Sequence, residues 1–165
     1  MAENKADRLF GPSGGKLLVL HLGQQSYGIQ ILDTREVVKM MDVEPIPNCP
    51  PHIKGVINLR GKIIPVVDFR CKLGMKSGEQ TEENCILVLD VSGRQTGVII
   101  DALVGVLTVD RQAFQDRPDM GSQDQENYIT GIVKQDEHLI TVLDMTQVLG
   151  SESIEVNANS AVLNV

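Results

Sequence analysis

An all-β fold of two small, pseudo-symmetric five-stranded barrels is what this 165-residue chain predicts, on three observations. The first is an internal duplication. Residues 53–74 read IKGVINLRGKIIPVVDFRCKLG, and residues 129–150 read ITGIVKQDEHLITVLDMTQVLG, 76 positions later without a gap. Ile53/Ile129, Gly55/Gly131, Ile64/Ile140, Val66/Val142, Asp68/Asp144, Leu73/Leu149 and Gly74/Gly150 are identical. Upstream, Leu18-Val19-Leu20 aligns with Leu87-Val88-Leu89, Gly28 with Gly97, Ile31 with Ile100 and Val37 with Val106, now 69 positions apart. The second copy therefore carries seven extra residues between its halves. Two copies make a pair and not a solenoid, which needs at least three repeats. The second observation is composition: 42% apolar residues, rich in Val, Ile and Leu, with 3% aromatics and no Trp, suits a compact β-rich core. The third is spacing. Each copy holds about five short β-branched runs separated by turn residues, and closing so few strands into a barrel removes their exposed edges. A copy of roughly 60–70 residues is marginal alone, so the halves must pack on each other.

The elements follow in order. Residues 1–15 are polar and rich in Gly, Pro and Ser, a flexible lead-in. Lys16 to Leu22 reads as a strand, Gln24-Gln25 as a turn, Ser26 to Ile31 as a strand bent at Gly28, and Thr34 to Met40 as a third. Pro45, Pro47, Pro50 and Pro51 enforce an extended loop, since proline cannot donate to a ladder. Ile53 to Leu59 and Lys62 to Val67 flank Arg60-Gly61, a hairpin signature. Asp68 to Gly74 predicts a helix of one or two turns, capped by Asp68 and ended by Gly74; Asp144 to Gly150 repeats the device. The second copy places strands near 84–91, 95–100, 102–107, 128–134 and 138–143, with a polar inserted loop from Asp110 to Gln125. Residues 151–165 read as a tail.

Charge and composition narrow the function. A net charge of −7 disfavours nucleic acid and anionic membrane, which need a basic footprint. Poverty in aromatics argues against sugar platforms and single-strand binding. The charged N-terminal residues do not read as a signal peptide, and no apolar run approaches the roughly 20 residues of a membrane-spanning helix. Cys49, Cys71 and Cys85 are odd in number and scattered, as in a cytosolic protein with reduced thiols.

No phosphate loop, metalloprotease, hydrolase-elbow or EF-hand pattern is present. His21, His52 and His138 lack partners at ligand spacing, so neither a metal nor another cofactor is expected. Asp68 and Asp144 hold equivalent places in both copies, and capping explains both without a catalytic pair. Positions shared by the copies are scaffold. Asn58-Leu59-Arg60-Gly61-Lys62 against Lys134-Gln135-Asp136-Glu137-His138 is where they diverge. Arg60 faces Asp136 in that comparison, a reversal of charge, and is flanked by Asn58 and Gly61. A guanidinium on a tight hairpin can be held by one carboxylate and still present donors to a partner, and Glu36 is the candidate carboxylate.

The run Ile53-Lys54-Gly55-Val56 through Asn58-Leu59-Arg60-Gly61 to Pro65-Val66-Val67-Asp68, with YGIQILDTREVV ahead of it, closely resembles the CheW family of bacterial chemotaxis adaptors. The resemblance covers about residues 16–150, which it makes a single CheW-like domain. It implies two SH3-like barrels with short capping helices, built on the repeat copies around 16–75 and 84–150; whether strands pass between the halves stays open. It implies no catalysis. The family couples transmembrane chemoreceptors to the histidine kinase CheA by binding both, in the cytoplasm and at membrane-associated receptor arrays, where contacts between copies are a further option. Carried over by position, Arg60 matches the family's arginine and Glu36 its acidic partner near the receptor groove. Thr34 stands where the family often has an aliphatic residue. Asn58, Gly55 and Gly61 flank that groove, and Leu103 and Val106 would line it from the second barrel. The kinase-contact residues are not legible. A chemosensory pathway other than flagellar chemotaxis is the alternative within the family. A small enzyme with a carboxylate site is the alternative outside it.

Overall fold

The computed structural model describes residues 15–76, 78, 80–116 and 128–149. The expected lead-in before Gly15, the tail over 151–165 and Gly150 lie outside those residues. Among the described residues eleven strands form two sheets. β1 (Gly15–Leu22) and β2 (Gln25–Gln30) lead through a 3-10 turn (Ile31–Asp33) to β3 (Thr34–Lys39). β4 (Ile53–Leu59) and β5 (Lys62–Asp68) then precede the short helix α1 (Phe69–Lys72). The second copy gives β6 (Cys85–Val91), β7 (Arg94–Ile100), β8 (Ala102–Val109), β9 (Phe114–Asp116), β10 (Ile129–Gln135), β11 (His138–Leu143) and α2 (Met145–Leu149).

The strands interleave. The first sheet runs β8-β1-β2-β11-β10-β9 and the second β3-β6-β7-β5-β4. Each sheet thus takes the opening hairpin of one copy and the later strands of the other. Two of the joins are antiparallel, β1 with β8 and β3 with β6, and two are parallel: β11 pairs with β2 through Val142–Gly28, and β5 with β7 through Val66–Gly97. Glycine suits this register, since a Cβ at Gly28 or Gly97 would press on Ile140 or Ile86 from the barrel interior.

Alternation along the strands explains how the halves hold together. Leu17, Val19, Val133, Ile140 and Val142 fill the first barrel, and their repeat mates Ile86, Val88, Ile57, Ile64 and Val66 fill the second. Intervening positions face the other barrel. Leu18, Leu20, Leu22 and Ile29 meet Leu87, Leu89, Val91 and Val98 in one shared core with Phe69 and Met145. Burying both faces of β1 and β6 is what a pair of marginal barrels needs.

Two expectations change in detail. The first turn is Gly23-Gln24, one residue earlier than expected, because Gly23 supplies a φ of 63°. The inserted segment also starts with structure, where a polar loop was expected: Phe114–Asp116 adds a sixth strand beside β10. Three residues in a polar context are too short for a periodic signal.

The capping helices form as expected. Asp68 accepts from the Cys71 amide at 3.4 Å, and Asp144 from the Thr146 amide at 3.0 Å. Gly74, at φ 81°, closes α1. Its amide reaches Cys71 O at 3.0 Å and the Met75 amide reaches Arg70 O at 2.8 Å, a Schellman end.

Candidate functional site

β3 and β4 are the two edges of the second sheet, and one ion pair links β3 to the turn that follows β4. Arg60 leads the two-residue turn between β4 and β5, with φ 53°, followed by Gly61 at 86°. Two positive values make this a type I′ turn, whose twist matches the flanking strands. A non-glycine residue there carries a backbone cost. Asn58 offsets it, accepting the Gly61 amide on Oδ1 at 2.8 Å. From this perch Arg60 Nη2 donates to Glu36 Oε1 on β3, an ion pair that spans the barrel seam. The Arg60 side chain stays 69% exposed and that of Glu36 34%. The guanidinium is anchored at one nitrogen and open to a partner.

Thr34 begins β3, and a bulge at Arg35 separates it from Glu36 in the pairing with β6. Its Oγ1 is buried without a hydrogen bond, a surrounding that would suit an aliphatic side chain better. Arg35 turns away and binds Asp90 Oδ2 at 2.7 Å. Gly55, at φ 148°, lies beneath the chain at Glu44, where a Cβ would overlap the Glu44 carbonyl. Gly131 is crossed in the same way by Gln115. The repeated glycine is a close-approach position. Gly61 meets no atom near its absent Cβ and is required by φ alone.

Leu103 and Val106 lie on β8 of the first sheet, 38% and 57% exposed. Val106, with Val104, Val19, His21 and His138, lines a cavity of about 410 Å³. Leu103, Arg60, Glu36 and Thr34 do not line it. The ion pair and the turn join Arg60, Glu36 and Asn58 at one rim, and Val106 lines an apolar groove whose walls do not include them. β1 lies between: Leu18 pairs with Val106, and the 3-10 turn before Thr34 packs on β1.

A second charged cluster was not anticipated. Arg70 Nε contacts Asp101 Oδ1 and Oδ2 at 2.9 and 3.0 Å, and Nη2 also donates to Oδ2. The Gly23 amide adds a bond to Oδ2 at 2.6 Å. Hydrogen bonding from Arg70 outweighs burial and holds the Asp101 carboxyl below its usual range. The cluster ties the β1–β2 turn, α1 and the β7–β8 junction. The repeat comparison held its signal, because Arg70 matches Thr146 and Asp101 matches Leu32. The cysteines are ordinary: burial pushes the Cys85 thiol up, and Cys49 donates to Ile46 O at 3.0 Å. Among the described residues no group of three or more His, Cys, Asp or Glu is arranged to hold a metal.

The description CheW-like domain matches residues 16–153. The chain belongs to the CheW family. The chemotaxis protein CheW of Rhizobium meliloti (strain 1021) is 33% identical, the alignment covering 86% of this chain and 92% of that one. CheW of Bacillus subtilis (strain 168) is 31% identical, with coverages of 86% and 90%. The crystal structure of the scaffolding protein TtCheW from Thermoanaerobacter tengcongensis superposes with a TM-score of 0.74 at 33% identity, covering 83% of this chain and 95% of that one. The CheW-like barrels described above are thus those of a chemotaxis scaffold family. Among the described residues no helix is long and apolar enough to cross a membrane.

Proposed function

We propose that this chain is an adaptor that couples chemoreceptors to the histidine kinase CheA by binding both, without catalysis. The observation that carries the reading is the exposed Arg60 guanidinium, preset by Glu36 on a turn whose repeat mate has the opposite charge. Thr34, Gly55, Asn58 and Gly61 shape that rim, and Leu103 and Val106 extend the receptor surface from the neighbouring barrel. A receptor tip docking there would exchange the solvent around Arg60 for a partner acceptor. The protein works in the cytoplasm and is recruited to receptor arrays. To alter kinase activity it must bind the kinase's conformational states with unequal affinity; equal affinity would shift nothing.

Reconstituted receptor arrays test this. Arg60→Ala should fold normally yet weaken receptor binding by about 1–3 kcal/mol, the cost of losing a desolvated charged hydrogen bond. Receptor-dependent kinase activation would fall with it. Normal activation by that variant, at matched protein concentration, would overturn the proposal.

A further inference from the structure

The two barrels differ in how one strand edge is covered. In the first sheet β9 lies along β10, pairing Asp116 with Gly131, Gln115 with Ile132 and Phe114 with Val133. In the second sheet the equivalent strand, β4, receives one bridge, Glu44 to Val56, with bonds of 2.8 and 2.9 Å. Outward-pointing groups alternate along an antiparallel strand, so the next N–H and C=O facing away from β5 belong to Asn58. Among the described residues no backbone bond from outside the β4–β5 ladder reaches Asn58. A groove of about 680 Å³ opens beside this edge, with Met41, Ile46, Val56 and Ile63 among its walls.

We propose that this groove is a strand-addition site, taking an extended peptide segment of a partner protein that alternates basic and apolar residues. Its backbone would bond to Asn58 while alternate side chains enter the apolar walls, the general mode of β-augmentation. The extended form follows from β9, which covers the equivalent edge in the other barrel. The basic character follows from the lining, which includes the exposed carboxylates Asp42 and Glu44 and no Lys or Arg. The stretch of edge left open at Asn58 is also a template for unwanted pairing, and two acidic side chains restrict which strands can approach. The groove shares Asn58 with the proposed receptor rim but uses its backbone, whereas the rim uses the Asn58 side chain on the Gly61 amide, and Arg60 does not line the groove.

The test is an amide NMR titration of the full chain with a blocked eight-residue peptide of alternating lysine and valine. A second peptide carries N-methyl groups along one edge, so it keeps the side chains and loses the ladder. Saturable shifts at Asn58, Val56 and Ile63, with the Asn58 amide exchanging more slowly, are expected for the first peptide. The N-methylated peptide and the Asp42→Lys/Glu44→Lys variant should each bind about tenfold more weakly or worse, as lost ladder bonds and reversed charge require. No saturable binding by the wild-type chain would overturn the proposal, as would equal binding of both peptides. Protection of Asn58 that rises with protein concentration in the absence of peptide would assign the edge to a second copy of the chain, and would overturn it too.

Discussion

Arg60 and Asp136 hold the same turn position in the two repeat copies, each with φ 53°, yet their surroundings have diverged. In the second sheet Arg60 reaches Glu36 and seals the rim. In the first sheet the position equivalent to Glu36 is Gly105, and Val104 and Val106 beside it line an open apolar groove with Val19 and His138. The interiors kept their pattern: Ile57, Ile64 and Val66 pack as Val133, Ile140 and Val142 do. A duplicated barrel thus preserved what folds it and reassigned its rim, an ion pair across one half and an apolar groove beside Asp136 in the other.

The sharpest way to break the comparison is at the crossed glycines. Gly55→Ala and Gly131→Ala both drive a methyl into a backbone carbonyl, and Gly55 adds a strained φ. Each should cost about 3 kcal/mol or more in denaturant melts, with Gly55→Ala the worse. Equal, mild losses would show that the crossing segments yield.

Arg70–Asp101 has no counterpart in the repeat and should come next. Arg70→Ala leaves a partly buried carboxylate without its partner and should cost about 2–3 kcal/mol. Because the folded pKa of Asp101 is depressed, its contribution is complete above the unfolded carboxylate value near 4 and fades as pH falls further. The wild-type chain should therefore lose stability in acid more steeply than Arg70→Ala. Parallel profiles below about pH 4 would remove the pair from the acid response.

Asp68→Ala and Asp144→Ala should each cost about 1 kcal/mol without a specific functional loss, the usual effect of removing an N-cap. A variant that kept full stability but lost partner binding would separate the two copies where the comparison joins them. The smallest effect belongs to Glu36 and Arg60 in unfolding, where a double-mutant cycle should give under about 1 kcal/mol for so exposed a pair. The same cycle on receptor binding should show the larger coupling.

Much of this was legible because duplication supplies its own control. The strand runs, the capping aspartates and the special character of Arg60 all emerged from aligning one copy with the other. The route of the strands did not, since the repeats align identically whichever sheet receives them. That Arg60 is not among the walls of the Val106 groove was hidden for the same reason: position in a repeat says nothing of where two barrels meet. Thr34, Leu103 and Val106 came from family resemblance alone. Arg70 and Asp101 were overlooked, although each differs from its repeat mate as plainly as Arg60 does. Their pairing depends on α1 meeting the β7–β8 junction, a contact without local periodicity.

The parallel pairing of β2 with β11 has a consequence for synthesis. The second barrel draws its strands from residues 34–100, so it can close while later residues are still being translated. β1 and β2 emerge earlier, but their Leu17 and Val19 face stays uncovered until β10 and β11 arrive. Such late, long-range closure is slow and leaves nascent strands open to mispairing. Chaperone dependence in the cell should therefore track the first hairpin, and a nascent chain arrested once residue 100 has cleared the ribosomal exit tunnel should carry one finished barrel and one waiting pair of strands.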